Sequence, residues 1–273
     1  MKAEPQASGV LEGILAETAR LVAARRSEQP GWERRAAGAR PAPDFGAALR
    51  SGTAVTVIAE VKRRSPSMGP IREDADAAAL AAAYVEAGAA AVSVLTEPSR
   101  FGGALDDLAR VASAVAVPTL RKDFIIDPLQ IYEARAVGAS AILLIVRVLP
   151  AERLAELTRL AQDIGLATLV EVHDAGELAA ALAVSPTAIG VNVRDLDTLA
   201  LRPEQAAALL PEVPRGVIAV AESGLSSRGD VSRVAGLGAD AVLVGTAVAG
   251  AADPAAALRA LTEVPRVERR GRA

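Results

Sequence analysis

Along the 273 residues, short runs of Val, Ile, Leu and Ala alternate with longer segments whose apolar positions recur at helical spacing. The runs predict strands over 56–61, 90–95, 117–121, 141–146, 167–172, 188–192, 217–221 and 240–244. Between them the pattern predicts helices over 75–87, 104–114, 128–137, 151–164, 175–184, 203–210 and 228–236. Several of these end in Gly-Ala just before the next apolar run ("EAGAAAV", "AVGASAI", "GLGADAV"), as a helix C-terminal glycine before a buried parallel strand would. Strict alternation means a parallel sheet, and eight units is the number that closes a barrel. An open doubly wound sheet is the rival, but no Gly-x-Gly-x-x-Gly follows the first strand. The predicted fold is α/β, a (β/α)8 TIM barrel over residues 51–263.

Ahead of the barrel, 10–26 reads as an amphipathic helix, 29–44 as a Pro/Gly/Arg-rich loop and 45–50 as a short helix. Residues 1–50 are therefore expected to form a helical extension packed over one end of the barrel. The stretch 264–273, "VPRVERRGRA", is expected to be a charged, solvated and disordered tail.

Hydrophobic content of 51% secures a core, but aromatics are only 2%, so Ala, Val and Leu must fill it. A net charge of −3 argues against a dedicated nucleic-acid binder. The absence of cysteine excludes disulfides and thiol chemistry and leaves the compartment open. No apolar stretch reaches membrane-spanning length, and "MKAEPQASG" lacks the apolar core of a secretory signal. A cytoplasmic protein without a membrane or nucleic-acid partner is the expectation.

One bias points at chemistry. Lys and Arg total 30, yet the only lysines are Lys2, Lys62 and Lys122, and the only asparagine is Asn192. Where Arg and Asp serve elsewhere, the surviving Lys and Asn mark positions that need a compact ammonium or a neutral amide. Chance survival is the alternative. Against it, Lys62, Lys122 and Asn192 all fall at strand ends, and "VIAEVKRRSPS" sets Glu60 and Lys62 on one face of an apolar run.

In such barrels the chemistry sits at the C-terminal ends of the strands. The ends here supply Glu60 and Lys62, then Lys122, Glu171, Asn192 with Arg194, and Glu222 with Ser223. Isolated buried charges are costly, but opposite charges converging on one mouth neutralise each other. The set suits an anionic substrate and proton transfers. A purely structural ion-pair plug is disfavoured, because barrel interiors are normally filled with branched apolar residues. Gly224 after the seventh strand, and Gly245 with Thr246 after the eighth, fit the recurring phosphate site of this fold. His173, the only histidine, is expected to support the loop after strand five rather than act as the base, and a lone histidine makes a zinc site improbable. Phe101 and Phe124 flank strand ends; core packing is the plain reading, a wall for an aromatic ring the sharper one.

Taken together, "IAEVKRRSPS", "SVLTEPSRFGGAL", "LRKDFIIDPLQIYEARAVGA", "LVEVHD", "GVNVRDLDTL", "VAESGL" and "DAVLVGTAV" resemble the indole-3-glycerol phosphate synthase family, in order from about residue 56 to 262. The resemblance implies closure of the indole ring of 1-(2-carboxyphenylamino)-1-deoxyribulose 5-phosphate, with loss of carbon dioxide and water, and no metal or organic cofactor. It implies Lys122 as the general acid at the ribulose carbonyl and Lys62, positioned by Glu60, as the holder of the anthranilate carboxylate. Glu171 becomes the acid/base of dehydration. Asn192, Arg194, Glu222 and Ser223 would orient the sugar hydroxyls and the lysines. Ser65, Gly224, Gly245 and Thr246 would hold the phosphate, and Phe101, Phe124 and Leu196 would face the ring. Neighbouring cations are expected to lower the Lys122 pKa while glutamates oppose them.

Two positions depart from the family pattern: Met68 stands where many members carry Lys, and Val193 where many carry Asn or a small residue. Neither carries an assigned role, so loop closure over the substrate, not the reaction, is what Met68 touches. A phosphoribosylanthranilate isomerase would favour an Asp/Cys pair, which a Cys-free chain cannot supply. A catalytically silent ligand-binding paralogue would be expected to lose Lys122 or Glu171, and both are present. A monomer acting on a small phosphorylated substrate is the expected working form, with docking to a pathway enzyme left open.

Overall fold

The structure is a computed structural model that describes residues 9–269. Eight parallel strands pair in chain order: β1 (Thr56–Val61), β2 (Ala91–Leu95), β3 (Thr119–Lys122), β4 (Ala141–Ile145), β5 (Ala167–Val172), β6 (Ala188–Asn192), β7 (Ile218–Glu222) and β8 (Ala241–Val244). The last pairs with the first, Thr56 opposite Ala241, so the barrel is closed and has no open edge. Each strand lies within two residues of the run that predicted it.

Alternation along the strands sorts the core into two clusters. Outward residues such as Val57, Ala59, Val92 and Val170 pack beneath the surrounding helices. Inward residues, among them Ile58, Ala91, Leu120, Leu143, Leu169 and Val220, fill the lower barrel. Alanines at inward positions 91, 141, 188 and 241 suit a chain with few aromatics, since small and large side chains must interlock in the narrowing interior.

The amino-terminal extension touches both ends of the barrel, not one. Helix α1 (Val10–Arg25) begins at the mouth, where Leu11 and Ile14 share a recess with Phe101 and Phe124. Helix α2 (Gln29–Ala37) lies along the helix Pro128–Ala136. Helix α3 (Phe45–Arg50) then closes the floor, with Phe45 and Leu49 in the barrel's inner cluster. Its start is fixed by Asp44, whose side chain accepts from Ala47 N–H at 2.9 Å.

The loop expected over 29–44 is thus helical as far as Ala37. Pro30 falls in the first turn, where its missing N–H is not needed. Arg35 stacks on Trp32 at 4.1 Å, and Ala36 is buried.

The carboxy-terminal stretch also departs from expectation up to residue 269. Val264 is buried, and its carbonyl accepts from Val55 N–H at 2.8 Å. Arg266 Nη2 donates to the carbonyls of Leu49 and Ala54, each at 3.0 Å. Arg269 Nη1 reaches Gly238 O and Asp240 Oδ2, each at 2.6 Å. Arginine forks meeting backbone carbonyls and the Asp240 carboxylate dock this segment instead of solvating it. The expected disorder at 270–273, and the extension's first eight residues with Lys2, lie outside the described residues. Among the described residues, no helix is long and apolar enough to cross a membrane.

Candidate active site

The pleat that packs the lower barrel also aims its charges. Glu60 is the next inward position after Ile58, Lys122 after Leu120, Glu171 after Leu169 and Glu222 after Val220. The apolar layers end at one level, and the carboxylates and ammonium groups begin at the next. Register keeps them level: Glu60 lies opposite Ser93, and Asn192 opposite Glu222. Above them opens a cavity of about 570 Å³. Every residue given a catalytic or substrate-binding role from the sequence lines it except Ser65, which lines an adjoining recess of about 70 Å³ together with Lys62 and Arg194.

Two lysines are held by carboxylates in different ways. Lys62 Nζ lies 2.6 Å from Glu60 Oε1. Lys122 Nζ lies 3.0 Å from Glu171 Oε2 and 3.5 Å from Glu222 Oε2. Burial works against the Lys122 ammonium, but Glu171, Glu222 and Glu60 outweigh it and hold its pKa above the ordinary lysine value. The expected lowering by neighbouring cations is therefore corrected: the glutamates dominate, and Lys122 carries its proton at neutral pH.

The two carboxylates around Lys122 part company. Burial raises Glu171, but Lys122, His173 and Asn192 more than offset it, so its pKa lies below the usual carboxylate value. Glu222 is pushed up to about 8 by burial and by the like charges of Glu171 and Glu60, with Lys122 only partly opposing. One ammonium thus sits between a carboxyl held below and a carboxyl pushed above the usual range, an arrangement that separates acid and base roles by environment.

Glycines make room for these groups. A Cβ at Gly190 would overlap Glu222 Oε1, and one at Gly245 would overlap Glu60 Oε1. Gly245, picked out for a phosphate, also borders the cavity where bare backbone faces it. Ser223 and Gly224 both adopt left-handed backbone, φ 69° and 68°, forming a sharp turn off β7. For Ser223 that conformation is strained, which is typical of functional loops. Ser65 ends the first arm of a small hairpin, Arg64–Ser65 against Gly69–Pro70, and its Oγ accepts from Met68 N–H at 3.1 Å. Met68 itself is 65% exposed at the cavity rim, whereas Val193 is buried in the outer core.

Arg194 enters the cavity with its Nη1 donating to Leu199 O at 2.9 Å. Burial lowers its pKa with no carboxylate among the described residues offsetting it, so its guanidinium is available to an incoming anion. Asn192 accepts from Arg194 N–H at 3.0 Å, fixing the chain where the two side chains diverge. Across the mouth, Phe101 and Phe124 lie 6.5 Å apart at a tilt of 38° and form an apolar wall with Leu196. His173 is buried and hydrogen-bonded: its N–H and Nδ1 both meet Glu177 Oε2, at 2.7 and 3.0 Å.

Sequence reasoning missed three features. Ser93 faces inward opposite Glu60, buried, with no hydrogen-bond partner for its hydroxyl among the described residues. Gly190 inside "AIGVN" was a readable signal, since a glycine within a strand marks a close approach. The third had no signal. Arg121 turns outward and meets Asp123 at 2.9 Å and Glu133 at 3.0 Å, and Glu133 meets Arg25 of α1 at 2.6 Å. This buried network clamps the residues on either side of Lys122.

The sequence model of the family described as indole-3-glycerol phosphate synthase matches residues 11–261. A protein of that name from Parafrankia sp. (strain EAN1pec) is 51% identical over 214 residues, 78% of this chain and 80% of its own. Another, from Mycobacteroides abscessus, is 47% identical over 251 residues, 91% of this chain and 90% of its own. Among solved structures, 3-hexulose-6-phosphate synthase from Salmonella typhimurium aligns with a TM-score of 0.60 at 17% identity, covering 76% of this chain and 96% of that one, a likeness of fold alone.

Proposed function

This chain belongs to the indole-3-glycerol phosphate synthase family, and from that premise we propose how its own residues carry the reaction. It closes the indole ring of 1-(2-carboxyphenylamino)-1-deoxyribulose 5-phosphate with loss of carbon dioxide and water, a step of tryptophan biosynthesis. Lys122 is the general acid. It gives its proton to the ribulose carbonyl oxygen while the carboxylate-bearing ring carbon attacks the carbonyl carbon. The observation that carries this is its position at the cavity, 3.0 Å from Glu171 and 3.5 Å from Glu222.

Lys62 holds the substrate carboxylate until it departs as carbon dioxide, with Arg194, in the same recess, beside it rather than on the sugar hydroxyls, and Glu60 balances the Lys62 charge in the meantime. Glu171 is the acid/base of the dehydration. Asn192, Glu222 and Ser223 orient the sugar hydroxyls, and Phe101, Phe124 and Leu196 face the ring. The phosphate lies between Ser65, Gly224, Gly245 and Thr246, where the turn after β7 and the bare backbone after β8 face the cavity. All of these groups come from one chain, which supports a monomer as the working form, and a phosphorylated substrate that cannot cross membranes supports a cytoplasmic location.

The test is the appearance of indole fluorescence when protein meets substrate, with Lys122→Ala as control. Product from the wild type and none from the variant supports the assignment. Comparable rates in both would overturn it.

A further inference from the structure

We propose that His173, oriented by Glu177, stores the proton that Glu171 moves during the reaction. The idea rests on the role assigned above to Glu171. Neither residue of this pair touches the substrate; both are positioning residues that act through Glu171.

The geometry begins with two orphaned atoms. Glu171 Oε1 and His173 Nε2 are both buried without a hydrogen-bond partner among the described residues, and they face each other at 3.5 Å. Glu171's other oxygen is the one engaged by Lys122. The carboxylate therefore bridges the ammonium on one side and the imidazole on the other.

The tautomer follows from Glu177. Its Oε2 accepts from His173 N–H at 2.7 Å and meets Nδ1 at 3.0 Å, and its carboxyl is held below the usual value by His173 and by Arg147 despite burial. An ionised carboxylate can only accept, so Nδ1 carries the hydrogen and Nε2 is the nitrogen free to gain or lose one. When Glu171 has taken a proton from the substrate, its O–H bond can break as the Nε2–H bond forms. The products are a carboxylate at Glu171, which keeps Lys122 paired, and an imidazolium flanked by two carboxylates. The reverse transfer returns the proton to Glu171 for its step as an acid.

The other charges facing this pair are Arg147, 3.0 Å from Glu177 on the turn after β4, Asp174 beside it in chain, Glu212 across an outer groove, and Lys122 beyond Glu171. His173 borders that groove, about 530 Å³, with its imidazole buried.

The decisive variant is His173→Gln, whose amide can still reach Glu171 but cannot hold an extra proton. We expect an unchanged fold, KM within about threefold, and kcat lowered about tenfold or more. The solvent deuterium isotope effect on kcat should increase. In a Glu171→Gln background the same change should cost nothing further. A kcat within threefold of wild type, or a lower kcat without a change in the isotope effect, overturns the store and leaves His173 as a loop support. If Glu171→Gln remains fully active, the role of Glu171 fails first and the store with it. Should His173→Gln not fold, Glu177→Gln frees the tautomer, and the same isotope effect decides.

Discussion

The space that a side chain at Gly190 would occupy is filled by the carboxyl of Glu222 on the neighbouring strand. Gly245 stands in the same relation to Glu60. Two of the charged groups at the barrel mouth thus reach inward only because the adjacent strand has no Cβ at that level. The charges were visible as anomalies in apolar runs; the vacancies that admit them are the other half of the same arrangement.

Gly190→Ala should therefore expel the Glu222 carboxyl from its seat. In an ordinary strand the added methyl would be neutral or mildly favourable, but here overpacking should cost about 1–3 kcal/mol. Thermal unfolding measures that cost. A fall in kcat beyond any change in KM would accompany it, because Lys122 loses one of its two carboxyl neighbours.

Lys122→Arg keeps the positive charge and should still fail. The guanidinium is wider than the space between Glu171 and Glu222, and it does not release its proton near neutrality. We expect kcat to fall about 10²–10⁴-fold, as for loss of a general acid, with substrate binding retained. Single-turnover fluorescence alongside a binding titration separates the two.

The raised pKa of Glu222 makes a prediction about stability. With a folded value of about 8, well above an unfolded carboxyl, the folded state binds the extra proton more tightly. Its contribution is full below the unfolded pKa and is lost as pH rises through about 8. Glu222→Gln removes that loss, so the variant's Tm should fall less than the wild type's between pH 5 and 8. Parallel Tm curves over that range would contradict the assignment.

Met68→Lys tests the one polar position that the hairpin over the mouth lacks. The side chain is 65% exposed, so Tm should not change. A cation at the rim should lower KM for the anionic substrate, and the gain should shrink as salt is raised from about 0.01 to 0.15 M. Equal KM values at low salt would show that position 68 does not face the substrate.

Much of this architecture was legible because it is local. Strand and helix periodicity, glycine before several of the strands and charged residues at the strand ends are all properties of a few neighbouring residues. What escaped is carried by single side chains acting across long stretches of chain. Arg266 and Arg269 looked like solvent-seeking charge until the carbonyls they meet were known. The 29–37 helix was hidden by a proline that sits harmlessly in its first turn. The pKa of Lys122 depends on which of several nearby charges is closest, which no spacing along the chain records.

The extension that reaches both the mouth and the floor also constrains the order of assembly. Its α3 plug rests on β1, β2 and β7, so its seat is incomplete until the chain has been made past residue 218. Leu11 and Ile14 need Phe101 and Phe124 in place before they have anything to cover. During synthesis, then, α3 settles only after β7 has emerged, and the aromatic side of the pocket is completed by a helix made well before the phenylalanines it covers.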